Sequence, residues 1–356
     1  MRDILNQLKS WVSEGNLFAT ATVIQTWGSA PREVGSVMAI TGELQVAGSV
    51  SGGCVENAVI EEAELVLKTG IPKVLEFGVS DDTAWSVGLT CGGKIKVLVE
   101  KHPAFTNQIF DTEIWHAIVK AIENNLPVVM ISRLDGQPEG HLLVYANGNS
   151  LGDWGELTNK ARDVAIDTFQ SGKSLEITID GIPIFAQLFP RRDRVIVIGA
   201  SHIAIPFVEL ARKLEFETIV IDPRKIFADR QRFPVPPDQL LEKWPGEALE
   251  NIELNEDTYA VLVTHDPKID DPALHILLKS PVAYIGALGS KKTHEKRKKR
   301  LLEAGFSLEE IDRIYAPVGL DILARTPEEI ALSILAQIVS EKRKEKSDAA
   351  RGTSKI

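Results

Sequence analysis

The sequence predicts an α/β protein, with N-terminal α+β modules followed by a C-terminal doubly wound parallel sheet. Two observations predict it. Residues 194–224, RVIVIGASHIAIPFVELARKLEFETIVIDPR, read as strand, glycine turn, helix and strand, and more strand–helix units follow. That alternation specifies a parallel sheet covered by helices. Upstream, two stretches resemble each other, each with strands, a helix and a closing strand that ends in proline.

The elements follow in order. MRDILNQLKSWVSEGN sets Ile4, Leu5, Leu8, Trp11 and Val12 on one helical face. It lacks the apolar core and cleavage site of a signal peptide, so an amphipathic helix in a cytoplasmic protein is expected. No apolar run reaches the roughly 18 residues of a membrane span. EGNLFATATVI pairs with ENNLPVVMISRL, and GSVMAITGELQVAGS with GHLLVYANGNSLGD. VENAVIEEAELVLKTG pairs with LTNKARDVAIDTFQSG, and KIKVLVEKHP with IPIFAQLFP. The offset drifts from 109 residues (Glu14 to Glu123) to 102 (Gly70 to Gly172), as if loops were trimmed in a degenerate repeat. Only the first copy holds GSAPR, GGCVE and TCGG.

In the last third, Val195–Ile198 is a β-branched strand of the kind buried on both faces. Gly199 opens a turn, Ile203–Leu214 is helical, and Thr218–Ile221 is a strand ended by Asp222. Tyr259–Thr264 runs into His265-Asp266, Val282–Ile285 runs into GALGS, and a helix starts near Lys291. The expected organisation is an N-terminal module at 1–102, a second α+β module or connecting region at 103–190, a Rossmann-like domain at 191–340 and a frayed polar tail at 341–356.

Composition narrows the function. A net charge of −10 over 356 residues argues against a general nucleic-acid binder. Two cysteines cannot build a disulfide scaffold. Cys54 and Cys91 lack the C-x-x-C spacing of structural zinc. Both sit beside glycines: Gly52-Gly53-Cys54 and Cys91-Gly92-Gly93. Helical signal begins directly after Cys54, and a thiol at a helix start is favoured as thiolate. Thiolate binds soft metals such as molybdenum, or carries sulfur. Each cysteine also reads as a small buried hydrophobe. Glu56, in the first helical turn, is placed to reach a ligand or to favour the helix start. In GSAPR, Gly28 and Ser29 lead a turn to Arg32, whose fork suits phosphate or carboxylate.

The strand ends of the C-terminal domain converge on one crevice. A dinucleotide fingerprint needs three glycines and a following acid. Here the positions read Gly199, Ser201 and Ala204, and only the first glycine survives. Asp222 is spaced for a ribose diol, with Arg224 beside it. His202, His265 and Asp266 lie on neighbouring loops. In YIGALGSKKTHEKRKKR, Gly286 and Gly289 are read as exposing backbone amides, with Ser290 capping a basic helix that begins at Lys291. An NAD(P)-dependent oxidoreductase built on this domain is therefore the alternative reading.

GSAPR, GSVSGGCVE and GLTCGGKIKVLVE resemble the N-terminal module of the XdhC/CoxI family, the xanthine dehydrogenase accessory factors. VIVIGASH, VIDPR, VTHDPKIDDPAL, YIGALGSKKTHEKR and APVGLDILARTPEEIALSILAQIV resemble its Rossmann module. The likeness spans nearly the whole chain in matching order. It implies a cytoplasmic chaperone of the molybdenum cofactor (molybdopterin), more a carrier than a catalyst. Such a protein binds the cofactor, helps it gain a terminal sulfur from a cysteine desulfurase and delivers it to a molybdenum hydroxylase. The cysteine motifs around Cys54 and Cys91, the GSAPR loop and the Rossmann strand ends are the positions carried over, the two cysteines at the metal end. Ser201 and Leu323 depart from the family pattern, where glycines are common. A homodimer is expected, because two modules with exposed crevices can close a site between subunits.

Overall fold

The structure, a computed structural model, describes residues 1–28, 32–78, 93–137 and 140–352. The chain divides into two units, Met1–Arg191 and Arg192–Ile356.

The first unit holds two five-stranded antiparallel sheets. One has the order β3-β2-β1-β5-β4, from β1 (Phe18–Trp27), β2 (Val37–Thr41), β3 (Val46–Gly48), β4 (Lys73–Phe77) and β5 (Lys94–Lys101). The other has the order β8-β7-β6-β10-β9, from β6 (Val128–Arg133), β7 (Leu142–Tyr145), β8 (Ser150–Leu151), β9 (Leu175–Ile179) and β10 (Ile182–Phe189). The two orders are the same under the sequence repeat. In each copy a helix joins the third strand to the fourth, Glu56–Thr69 and then Leu157–Ser171. Both helices stop at a left-handed glycine, Gly70 at φ 73° and Gly172 at φ 64°, which L side chains rarely adopt. The N-terminal helix Leu5–Glu14 buries Leu5, Leu8 and Trp11 on the predicted face. It shares a core with Ile114, Trp115 and Ile118 of the helix Asp111–Glu123 and with strand residues of both sheets. A smaller cluster of Ile24, Leu98 and Phe185 also joins the sheets.

The second unit is a six-stranded parallel sheet of order β13-β12-β11-β14-β15-β16. Its strands are β11 (Arg194–Ile198), β12 (Glu217–Ile221), β13 (Gln239–Leu241), β14 (Thr258–Leu262), β15 (Tyr284–Ala287) and β16 (Ile314–Tyr315). Separate apolar clusters cover its faces, one built on Ile196, Ile219 and Leu262, the other on Val195, Val197 and Val261. That two-sided burial is the reason the strands read as unbroken apolar runs. The register aligns Ile198 with both Ile221 and Leu262, and Leu262 with Ala287, so the carboxyl ends of four strands share one edge. The last helix runs from Pro327 to Gly352 and so includes most of the tail expected to fray. Glu, Lys, Arg and Ala there are good helix formers, and Lys344 pairs with Glu341 at 2.8 Å. Among the described residues no helix is long and apolar enough to cross a membrane.

Candidate functional site

The glycine loop around Cys54 is organised by one carboxylate. Glu56, the first residue of its helix, turns back over the loop. Its Oε1 accepts from Ser49 Oγ (2.7 Å) and from the amides of Ser51 (2.9 Å) and Gly52 (3.0 Å). Its Oε2 accepts from Ser51 Oγ (2.5 Å) and the amide of Gly53 (2.9 Å). Ser51 Oγ in turn accepts from the amides of Cys54 (2.9 Å) and Val55 (3.1 Å). Burial pushes the Glu56 carboxyl up, but the bonds from Ser51 and Ser49 outweigh it and hold the group down to about 2. Gly52 at φ 83° and Gly53 at φ 121° explain the two glycines, since the chain must curl there to aim successive amides at one anion. The expectation that Glu56 reaches a ligand is corrected: its oxygens are committed to the loop. Cys54 follows as a free thiol, part exposed and part packed on the core that contains Val50, Val55 and Val59.

The strand register gathers the other N-terminal candidates at the same end of the sheet. Trp27, the last residue of β1, pairs with Lys94, the first of β5, so Gly28 and Gly93 are neighbours. β2 begins at Val37 opposite Thr22, and β3 ends at Gly48 opposite Met38, so the loop to Cys54 leaves from that end too. Arg32 is half-buried and Gly93 is buried. Ser29, Cys91 and Gly92 lie outside the described residues. Among the described residues, no group of three or more His, Cys, Asp or Glu side chains is arranged to hold a metal ion.

In the second unit the turn after β11 is also closed by an internal carboxylate. Asp222, fully buried, accepts from the amide of Ala200 at 2.8 Å. Arg224 closes on it through its amide and Nε, each 2.9 Å from Oδ1, and through Nη2, 2.7 Å from Oδ2. Burial raises the Asp222 carboxyl, and the bonds from Arg224 and Ala200 bring it below its ordinary value. Both Asp222 oxygens that the ribose reading calls on are thus occupied within the chain, by Arg224 and Ala200. Gly199 is a packing requirement: at φ 102°, a Cβ there would lie 2.3 Å from Thr264 Cγ2. Ser201 Oγ is buried without a partner among the described residues, and His202 is exposed.

His265 is exposed at φ 64°, a conformation that costs a non-glycine residue free energy. Asp266 caps the helix Pro267–Leu277 by accepting from Lys268 N at 3.0 Å. Gly286 does not expose its amide as expected. It lies buried inside β15, paired to Val261 and Tyr315, and a Cβ there would meet Val318 Cγ2 at 2.5 Å. Gly289, at φ 133°, does fall in the loop, followed by Ser290, which accepts from Thr293 N at 3.2 Å and caps the basic helix. Lys291 is exposed, but Arg297 of the same helix is 2 % exposed and donates to Leu288 O at 3.0 Å.

A third cluster, in the first unit, belongs to no motif read above. His141 lies with Nε2 3.1 Å from Glu100 Oε2 and Nδ1 3.1 Å from Asp111 Oδ1. The second approach is poorly aligned for a hydrogen bond and acts as an ion contact. Asp111 also accepts from the His141 amide (2.9 Å) and from Thr106 Oγ1 (2.6 Å). All three side chains are more than nine-tenths buried. Burial alone would lower the His141 imidazole, but the Glu100 charge and the Asp111 contact push it up to about 10. A charged imidazolium therefore sits between two carboxylates. These groups line a cavity of about 310 Å³ with Thr69, Ile71, Pro72, Lys101 and Asn107 among its other walls. The only sequence signal is Glu100 itself, an acid following the apolar run VLV.

Comparison with known proteins follows the same two-part division. The XdhC and CoxI family matches residues 11–78, and the XdhC Rossmann domain matches residues 195–338. A Bacillus subtilis protein described as a probable xanthine dehydrogenase subunit is 27% identical over 328 residues, which is 91% of this chain and 93% of that one. The molybdenum cofactor insertion chaperone PaoD of Escherichia coli is 26% identical over 349 residues, 98% of this chain and 91% of that one. The crystal structure of a xanthine dehydrogenase from Bacillus halodurans aligns with a TM-score of 0.76 at 26% identity, covering 96% of each chain.

Proposed function

Because the chain belongs to the XdhC and CoxI family, we propose that it binds the molybdenum cofactor as cargo and passes it to a xanthine dehydrogenase-type molybdenum hydroxylase. The observation that carries this reading is the placement of Cys54. Its free, part-exposed thiol stands on a loop fixed by Glu56, at the sheet end shared with Gly28, Arg32 and Gly93. A thiolate is the protein ligand suited to a soft metal. The guanidinium of Arg32 suits the phosphate of the cargo. The amides of Gly52 and Gly53 are committed to Glu56, so their part is to hold Cys54 in place. Cys91, from the matching cysteine motif, is the second thiol in this proposal. A cysteine desulfurase that supplies the terminal sulfur, and a homodimer as the working form, belong to the same proposal.

The test is molybdenum and pterin content of the chain purified from a molybdenum-replete host. Wild type is expected to carry both, and Cys54→Ala with Cys91→Ala to lose most of the molybdenum. Equal content in the double variant overturns the role of the thiols, and absence of both from wild type overturns the cargo assignment.

A further inference from the structure

The turns at the carboxyl edge of the parallel sheet differ in how their amides are satisfied. After β11, Asp222 takes the Ala200 amide. After β14, Asp266 takes the Lys268 amide, and Asp270 adds an acid to the first turn of the helix. The helix Lys291–Glu303, which follows β15, has no such carboxylate. Its cap is the neutral Ser290, whose Oγ serves Thr293, and its first turn holds no acid. The amides of residues 289–292 donate to no group among the described residues. Lys291 and Lys292 open the helix, both exposed and without a carboxylate partner among the described residues. Cations there oppose the helix dipole, an unfavourable arrangement that a bound anion relieves.

A second observation, independent of the helix start, points to the same anion. Arg297 lies on the buried face of this helix and is 2 % exposed. Side chains on a helix lean toward its N-terminus. Arg297 follows that lean: its Nη2 donates to Leu288 O at 3.0 Å, which aims the guanidinium back at the loop before the helix. Its Nε and Nη1 have no hydrogen-bond partner among the described residues. Asp270 does not supply one, since its Oδ2 stands 3.8 Å from Nη2 and its Oδ1 accepts from Thr264 Oγ1 at 2.6 Å. A buried cation with unmatched donors is costly unless negative charge is brought to it. His294, one turn nearer the loop, is also buried, with Nδ1 unpartnered among the described residues.

We propose that the turn from β15 into the helix Lys291–Glu303 is a phosphate-binding site. The phosphate oxygens accept from the free amides of residues 289–292. Lys291 and Lys292 neutralise the group from the solvent side, and the Arg297 charge lies beneath the loop. Several donors converging on one point match the three terminal oxygens of a phosphate group. The site belongs to the second unit and stands whether or not the chain carries molybdenum.

The test is amide NMR of the isotope-labelled full chain titrated with inorganic phosphate, against chloride at matched ionic strength. Phosphate should shift the amides of Gly289, Ser290, Lys291 and Lys292 saturably, and chloride should not. Lys291→Ala with Lys292→Ala is expected to weaken phosphate at least about fivefold. Lys268→Ala, an exposed lysine at the neighbouring helix start, should leave it unchanged. Phenyl phosphate separates the sources of the group: tighter binding than phosphate at these amides identifies a phosphate monoester, and weaker binding the free ion. Three outcomes overturn the proposal: no saturable shift at these amides, the same shifts with chloride, or equal losses in the double lysine variant and Lys268→Ala. Arg297→Met should also lose phosphate, and the wild-type titrations decide the matter even if that variant does not fold.

Discussion

Arg224 forms a two-pronged ion pair with Asp222, two residues earlier, with Nε 2.9 Å from Oδ1 and Nη2 2.7 Å from Oδ2. The carboxylate also takes the Ala200 amide in the turn after β11. A ribose diol needs those same oxygens, and a pyrophosphate needs that same amide. We expect no heat when NAD(H) or NADP(H) is titrated to millimolar concentration. Micromolar affinity in calorimetry would show that the latch opens and would restore the oxidoreductase reading.

Replacing Glu56 removes an anion to which the loop aims its amides. Glu56→Ala should cost about 1–3 kcal/mol, the scale of hydrogen bonds to a charged group. Chemical denaturation measures this, and proteolysis should locate new cleavage near Gly52 and Gly53. The folded carboxyl is lowered to about 2 from 4.5, so its contribution is present above pH 4.5 and lost as pH falls toward 2. Wild type should therefore show an acid limb of instability that the alanine variant shows less steeply.

His141 is the cation of a buried triad. His141→Ala leaves Glu100 and Asp111 facing each other without it and should cost about 3–5 kcal/mol, as when one partner of a buried pair is removed. The folded imidazole is raised from 6.5 to about 10, so its stabilisation is complete below pH 6.5 and lost as pH rises through 10. Urea midpoints of wild type should decline over that alkaline window. NMR of the His141 ring should show the charged form at pH 8, and a neutral ring there would contradict the triad.

Gly199 is held by packing. Gly199→Ala puts a Cβ 2.3 Å from Thr264 Cγ2 in a conformation of φ 102°. A loss of about 2 kcal/mol or more is expected from overpacking plus backbone strain. Thr264→Ser removes Cγ2 and should recover part of it. Additive losses in that double variant, measured by denaturation, would show that the methyl contact is not the cause.

The sequence by itself determined the elements whose cause is local. β-branched runs marked β11 and β12, and the apolar run YAVLV marked β14, because a two-sided parallel sheet buries the side chains of its central strands on both faces. Helical spacing marked Leu5, Leu8 and Trp11, and Ser290 marked a helix start because a cap bonds an amide three residues on. The repeat foretold two similar units, and the two sheets have one strand order. Tertiary structure alone decided where charges go. Glu56, Asp222 and Gly286 were spaced as ligand contacts, yet a carboxylate near free amides satisfies them itself, and a glycine at a close approach packs instead of binding. Arg297, one charge of the basic helix that begins at Lys291, turns inward to Leu288 O. Glu100, Asp111 and His141 follow no motif, because contacts spanning 41 and 30 residues are made by packing the strand ends together, and no sequence period records that.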